Sequence, residues 1–421
     1  MLLPTLLTDL LYAGKEQNAL ISVEEGNPAM ADLLQGYGEA IFHKAGLGGT
    51  IQVTSRREEV LQGADCVIYA GDCQAASRFF QDREALGSDA EDDPGLTDQA
   101  RVNGGLGGLM HALRAGNEVL ELCDSMDTQC SEALIINLGQ PIARTTAVFL
   151  NRGYRCYGLG RTPLKGANGL DTYGKRLQIR PENLQATIAG LPGFAFLLEI
   201  RDGEQDLTGK LTRAAENGEL GKLAARWLGW WGAIPVGDVT DHAEFLPAQE
   251  DYIPEERPEF GETVEKRKER ILYMNTVREQ GASSQEGMMA QLLLLSKAPP
   301  IRPMQLALAL FRKETVSIPA VTRRNGDTLP QLPREAMIEA ALCLKAGREV
   351  PSGLRLPEAL AEMMTEIDSA NRLAALAAAG DREALREYVE TDPALAGLDR
   401  LYCMDVTEAL IRMHQDVLKR L

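Results

Sequence analysis

Short apolar runs alternate with longer amphipathic stretches over the first part of the chain. The runs 19-ALISVEEGNP-28, 50-TIQVTS-55, 64-ADCVIYAG-71, 133-ALIINLG-139 and 154-YRCYGLG-160 read as strands, and 64–71 has the continuous apolar character of a parallel strand covered on both faces. Between them 57-REEVLQGA-64, 109-LMHALRAGNEVLELCDSMDTQC-130 and 141-PIARTTAVFLNRG-153 read as helices. Such alternation predicts a parallel, right-handed wound sheet. The acidic, Gly-rich stretch 80–108 predicts an exposed loop that could cover a site.

Beyond residue 160 the pattern changes. A strand-like 193-GFAFLLEI-200 is followed mostly by helical periodicity, at 206–218, 220–232, 261–277, 286–297, 356–380 and 381–389, with a C-terminal helix from about Val406. Strand signals at 315–319 and 336–344 lie between them. The expected organisation is an α/β, Rossmann-like parallel-sheet domain over 1–165 and a mainly helical α+β substrate and dimerisation domain over 166–421, similar in plan to lactate dehydrogenase. A dinucleotide-binding domain normally opens with a strand and a Gly-rich turn, whereas the helix-like 4-PTLLTDLLYAG-14 comes first here. The expectation is that this first strand and turn are missing, through a start placed too far downstream or a deletion.

The 421 residues are 44% hydrophobic and 25% charged, ample for a large core. With 44 Lys and Arg against 61 Asp and Glu the net charge is −17, which argues against nucleic acid or an anionic membrane as partner. No apolar run reaches membrane-span length, and residues 1–17 lack the basic start of a signal peptide. Seven scattered cysteines form neither a CxxC pair nor a disulfide framework, which fits a reducing cytoplasm.

The chemistry is expected just past the carboxyl ends of the strands. Glu24 and Glu25 follow the first strand and Asp72 the third; such acids are candidates for a cofactor's ribose hydroxyls, or are ordinary surface residues. Asp238, Asp241 and His242 form the densest titratable group, readable as a base, as a rebuilt metal site or as a capped helix start. Trp227, Trp230 and Trp231 could stack on a sugar, though their spacing on one helix suits a core or dimer face.

Several stretches, in order, resemble glycoside hydrolase family 4, the NAD- and metal-dependent glycosidases. The opening 4-PTLLTDLL-11 resembles the helix after the family's GxGS turn, and 54-TSRREEVLQGADCVIYAG-71 a segment further on. Arg78 with 81-QDRE-84, 107-GGLMHALR-114, 137-NLGQPIARTTAVF-149, 237-GDVTDHAEFLP-247, 318–357 and 379–393 are similar to its later motifs. The resemblance implies that bound NAD oxidises the sugar at C3, that a base removes the C2 proton, and that elimination, water addition and hydride return complete hydrolysis of a small glycoside. It also implies a divalent metal such as Mn²⁺, and a homodimer or homotetramer. Arg78, Asn137 and Gln140 stand at substrate-contacting places, Gln140 itself replacing an Asn; the alternative for Asn137 and Gln140 is a polar strand-to-helix turn with Pro141 opening the helix.

Alignment on the family's metal ligands puts Gly160 at its cysteine, with Arg161 next to it, and Pro192 and Gly193 at its Asn-His pair. Glycine has no donor atom, so the metal site is not expected to form from those positions, and His242 is the best substitute ligand. Arg161 could bind an anionic sugar or phosphate, or fill the metal's place with fixed positive charge. Two functions follow: an NAD-dependent glycosidase with altered metal chemistry, or a non-catalytic homologue that binds a sugar or regulates a partner.

Overall fold

A computed structural model describes residues 6–7, 18–45, 48–88, 99–160, 163, 166–247, 264–280 and 302–421. Arg161, most of the opening helix and the predicted helix 286–297 lie outside the described residues.

Strand β1 (Ala19–Glu24) connects through helix α1 (Pro28–Ala45) to β2 (Gly49–Thr54), with Ile21 opposite Ile51 in a parallel pair. Helix α1 is not among the expected helices, although Met30, Leu33, Leu34, Tyr37 and Ile41 stand at helical spacing. Gly36 and Gly38 weaken its intrinsic propensity, and the helix is held by packing of Leu33, Leu34, Tyr37, Ile41 and Phe42 on Ile51, Met274 and Val277. Helix α2 (Arg57–Leu61), strand β3 (Cys66–Tyr69), helices α3 (Ala75–Ser88) and α4 (Gly105–Gln129), strand β4 (Leu134–Asn137), helix α5 (Ile142–Asn151) and strand β5 (Cys156–Gly158) complete the wound part. Strands β3, β4 and β5 are parallel, as the alternation requires.

Among the described residues β1 pairs only with β2, and β3 only with β4, so the parallel strands form two separate ladders. A doubly wound sheet places its first strand between these two groups. No such strand is among the described residues.

Of the expected loop 80–108, residues 89–98 lie outside the described residues, and the flanks are not exposed loop. Residues up to Ser88 continue α3, and 99–104 is a buried approach to α4 in which Gln99 and Arg101 are covered. Cβ atoms on Gly107 and Gly108 would stand 2.6 Å from Arg101 and 2.5 Å from Asn103 backbone, so the glycines let this segment fold onto the helix's first turn.

The second part opens with α6 (Leu170–Leu177), β6 (Leu184–Leu191), β7 (Phe194–Asp202), β8 (Gln205–Asp206), α7 (Thr208–Glu216), α8 (Lys222–Trp231), β9 (Ile234–Val236) and α9 (Val239–Ala243). Helices α10 (Val264–Gln280) and α11 (Pro303–Phe311) precede β10 (Val316–Arg324), β11 (Met337–Lys345) and β12 (Arg348–Glu349). Helices α12 (Glu358–Ala378), α13 (Arg382–Thr391) and α14 (Arg400–Met413) end the chain. Helix α14 begins at Arg400, not near Val406, because Asp399 caps it by accepting from the Tyr402 amide at 2.8 Å.

This part carries more strand than its periodicity predicts, and its architecture is α+β. Strand β6, 184-LQATIAGL-191, lies outside the expected strands although Leu184, Ala186 and Ile188 alternate with Gln185 and Thr187; it is held by antiparallel pairing to β7 and β11. From β5 the sheet runs on antiparallel through β10, β11, β6 and β7, without a break at residue 165. Helices α12, α13 and α14 pack with α4 in a common core that includes Leu109, Leu113, Leu373, Tyr388 and Leu410.

Candidate active site

The last residues of the three parallel strands fall in one cross-strand row that continues through the antiparallel half. Tyr69 pairs with Asn137, Asn137 with Gly158, Gly158 with Thr322, Thr322 with Glu339, Glu339 with Gly190, and Gly190 with Ala195. Directly opposed residues present their side chains to the same face, each about 4.8 Å from the next. Here that face is the one covered by α5 and α12: Asn137 reaches Thr146, and a Cβ on Gly190 would meet Met364.

Within the row Asn137 is wholly buried and engaged by the protein. Its Nδ2 donates to Thr145 Oγ1 at 2.8 Å and Thr146 Oγ1 at 2.9 Å, and its Oδ1 accepts from the Gly139 amide at 2.8 Å, so it latches the β4–α5 turn. Gln140, three residues on, is exposed at the start of α5, follows with a cis bond to Pro141, and accepts from the Ile142 amide at 3.2 Å.

Thr322 and Glu339, central in the row, were not singled out from sequence. Among the described residues neither Thr322 Oγ1 nor either carboxyl oxygen of Glu339 has a hydrogen-bond partner, and both side chains are buried. Burial pushes the Glu339 carboxyl up to about 8. One visible signal existed: Glu339 is the lone charge in the otherwise apolar 336-AMIEAALCL-344.

The group at 238–242 is a short capped helix. Asp238 accepts from the Thr240 amide at 3.1 Å and from its hydroxyl at 2.8 Å. His242 is fully buried, stacked on Trp227 at 5.4 Å between centroids, with Nδ1 2.9 Å from the Asp238 carbonyl and Nε2 2.8 Å from the Ala195 carbonyl. Both nitrogens are therefore taken by backbone oxygens and neither faces a metal. Burial lowers its affinity for a proton, against the pull of two carbonyls that can only accept. Asp241 differs: it is half-buried, and burial, followed by the negative charges of Glu244 and Asp238, pushes its carboxyl up to about 7. Glu244 accepts from the Asn103 amide at 2.8 Å and its side chain at 2.7 Å, docking α9 on the approach to α4. The tryptophans divide: Trp227 and Trp231 are core, and Trp230 is 49% exposed.

The remaining candidates lie apart. Exposed Glu24, at the end of β1, is held by Arg57 at 3.1 Å, and Glu25 accepts from the Asn27 amide at 2.9 Å. Asp72, exposed after β3, accepts from the Gln74 amide at 3.1 Å. Arg78 donates to Asp416 at 3.0 Å and lies 3.3 Å from His414 Nδ1, beside the buried pair in which Arg114 donates to Asp82 at 2.8 Å. Arg78 thus ties α3 to the C-terminal end of the chain.

The residues present do not fit the metal that the resemblance implies. Gly160 offers no donor, Gly193 sits at φ 82° in the β6–β7 turn, and no group of three or more His, Cys, Asp or Glu side chains among the described residues could hold a metal ion. No helix among the described residues is long and apolar enough to cross a membrane.

Comparison with known proteins agrees with this architecture. The solved 6-phospho-alpha-glucosidase from gut microorganisms, in complex with NAD and Mn²⁺, is 13% identical with a TM-score of 0.75, over 99% of this chain and 96% of that one. The 6-phospho-beta-glucosidase from Thermotoga maritima, with manganese, NAD⁺ and glucose-6-phosphate, is 15% identical with a TM-score of 0.72, over 98% and 96%. Residues 17–161 match the family 4 glycosyl hydrolase profile and residues 188–395 that of the family's C-terminal domain. By these two matches the chain belongs to glycosyl hydrolase family 4.

Proposed function

We propose that this chain is a glycosidase of the family 4 type that takes a small glycoside over the carboxyl ends of β3, β4 and β5, using NAD but not the family's cysteine–histidine metal pair. The observation that carries the reading is the row from Tyr69 to Glu339, which gathers polar side chains at the strand ends where open α/β sheets bind their ligands. Bound NAD would supply a hydride acceptor for a carbinol carbon of the sugar. Exposed Glu24, with Glu25 beside it at the end of β1, suits the ribose hydroxyls, and Asp72 follows the end of β3. The Gly-rich turn that holds a pyrophosphate in such folds is not among the described residues.

Asp241, with its carboxyl near neutrality, is the member of the 238–242 group suited to proton transfer at cellular pH. Gln140 presents a carboxamide at the helix start for a sugar hydroxyl. Because the similar solved enzymes act on 6-phospho-glucosides, phosphorylated glucosides are the first substrates to test. A cytoplasmic location and a homodimer or homotetramer belong to the same proposal, the latter checked by light scattering on the eluting protein.

The testing experiment is a fluorescence titration with NADH, with and without Mn²⁺, followed by chromogenic 6-phospho-glucosides. Saturable binding that Mn²⁺ leaves unchanged, with turnover, is the expected result. Absence of binding at millimolar NADH overturns the enzyme reading for this chain. The glycines at 160 and 193 favour one second reading, a sugar-binding homologue without hydrolysis; NADH and sugar binding with no turnover would establish it.

A further inference from the structure

Gly160 lies two residues beyond Gly158 and so projects toward the same face of the sheet as the row. A Cβ built on Gly160 would lie 3.0 Å from Glu339 Oε1, and apart from the glycine's own chain neighbours no other described atom lies within 4 Å of it. Residue 339 is flanked in the row by Gly190 on one side and by Thr322, then Gly158, on the other. Gly160, Gly190 and Thr322 thus border one carboxyl at the carboxyl end of β5, and of the nearby glycines Gly158 and Gly190 are packed by Ile142, Thr146 and Met364 whereas Gly160 is not. Thr322 Oγ1 and both Glu339 oxygens are polar atoms without a hydrogen-bond partner among the described residues.

A buried carboxyl without a partner is costly to ionise and holds its proton instead, yet its oxygens still lack the hydrogen bonds they would make in water, which a ligand's hydroxyls can supply. The ionisable groups of the two covering helices do not do so. Arg144 of α5 donates to Asn371 at 2.8 Å and to the Gly108 carbonyl at 2.6 Å, while Asp368 of α12 accepts from the Met337 amide at 2.8 Å and from Arg372 at 2.9 Å. Burial alone raises the Glu339 carboxyl, with no neighbouring charge contributing.

We infer that Glu339 is the ligand-binding carboxylate of this centre, accepting hydrogen bonds from sugar hydroxyls that enter beside Gly160, with Thr322 as the adjoining hydroxyl. This rests on the glycosidase reading above. Hydroxyl donors on the carboxyl favour its ionised form, so ligand binding releases the proton that burial retains. Affinity therefore rises with pH, by up to about tenfold per pH unit for one group, until the carboxyl is ionised without ligand.

The test is calorimetric titration of the NAD-saturated chain with glucose 6-phosphate at pH 6, 7 and 9, in buffers of different ionisation enthalpy. Wild type should release a proton on binding and gain at least tenfold in affinity between pH 6 and pH 9. Glu339→Gln should bind at least tenfold more weakly at pH 9, with the proton release abolished. Gly160→Ala, at a position without positive φ, should keep the fold and NADH binding but lose the sugar phosphate. Equal affinity and proton release in wild type and Glu339→Gln would overturn the inference while leaving the glycosidase reading standing. A wild type that binds NADH but not glucose 6-phosphate would overturn it for phosphorylated sugars. A wild type that binds neither removes both. Affinity that appears only with Mn²⁺ and is lost in Glu339→Gln would replace the sugar contact by a cation site.

Discussion

Asp241 and Glu339 are carboxyls whose protonation is set by their surroundings more than by their side-chain chemistry. Their ordinary values, 3.8 and 4.5, are pushed up to about 7 and about 8. In each case the folded chain holds a proton that the unfolded chain has released, so stability falls as pH rises from the ordinary value to the raised one. Each of these two carboxyls therefore contributes a loss of stability as pH rises from about 4 to its raised value, while the buried His111 and His242, whose proton affinity burial lowers, contribute in the opposite sense below the ordinary histidine value. The difference in Tm between wild type and Asp241→Asn, and between wild type and Glu339→Gln, should therefore change with pH in favour of the variant as pH rises, with Glu339→Gln the more stable protein at pH 9; differences independent of pH between 4 and 9 count against both. Asn137 is a case where the residue was legible and its setting was not. Its identity suggests a substrate contact, but its hydrogen bonds all go to its own turn, and Asn137→Ala should cost about 2–4 kcal/mol in denaturant unfolding.

At the scale of elements, boundaries follow local chemistry where caps are present. Helix α13 begins after Asp381, which accepts from the Glu383 and Ala384 amides at 2.9 and 3.0 Å; Asp381→Ala should cost about 1 kcal/mol, read as a shift of the urea midpoint. Where tertiary contact decides, pattern reading fell short. The Gly-rich 99–108 looked like an exposed loop because glycine and polar residues usually mean solvent, yet the glycines serve close backbone packing. Gly107→Ala, whose Cβ would lie 2.6 to 2.8 Å from backbone atoms of Arg101 and Gln99, should cost about 1–3 kcal/mol in the same measurement. Strand β6 and helix α1 lie outside the expected elements although each carries its period, Leu184, Ala186 and Ile188 alternating with Gln185 and Thr187, and Leu33, Leu34, Tyr37 and Ile41 standing at helical spacing; the glycines at 36, 38 and 190 weaken the local signal in both.

For the whole molecule, the C-terminal end is pinned to the wound sheet domain by the buried Asp82, Arg114 and His414, with His414 Nε2 2.5 Å from Asp82. Arg114→Met leaves that carboxylate buried without its cation and should cost about 3–5 kcal/mol, whereas Asp416→Asn, which neutralises the solvent-exposed partner of the half-buried Arg78, should cost about 1 kcal/mol; differential calorimetry separates them. By itself the sequence determined the strand–helix alternation, the family resemblance and the absence of metal donors at 160 and 193, because period, order of motifs and side-chain chemistry are local properties. Only the tertiary structure decided that β5 joins β10 and β11 in one sheet, that His242 spends both nitrogens on backbone carbonyls, and that Glu339 faces Gly160. Those are pairings between residues distant in the chain, where burial and neighbouring groups, which no local pattern encodes, set what each side chain can do.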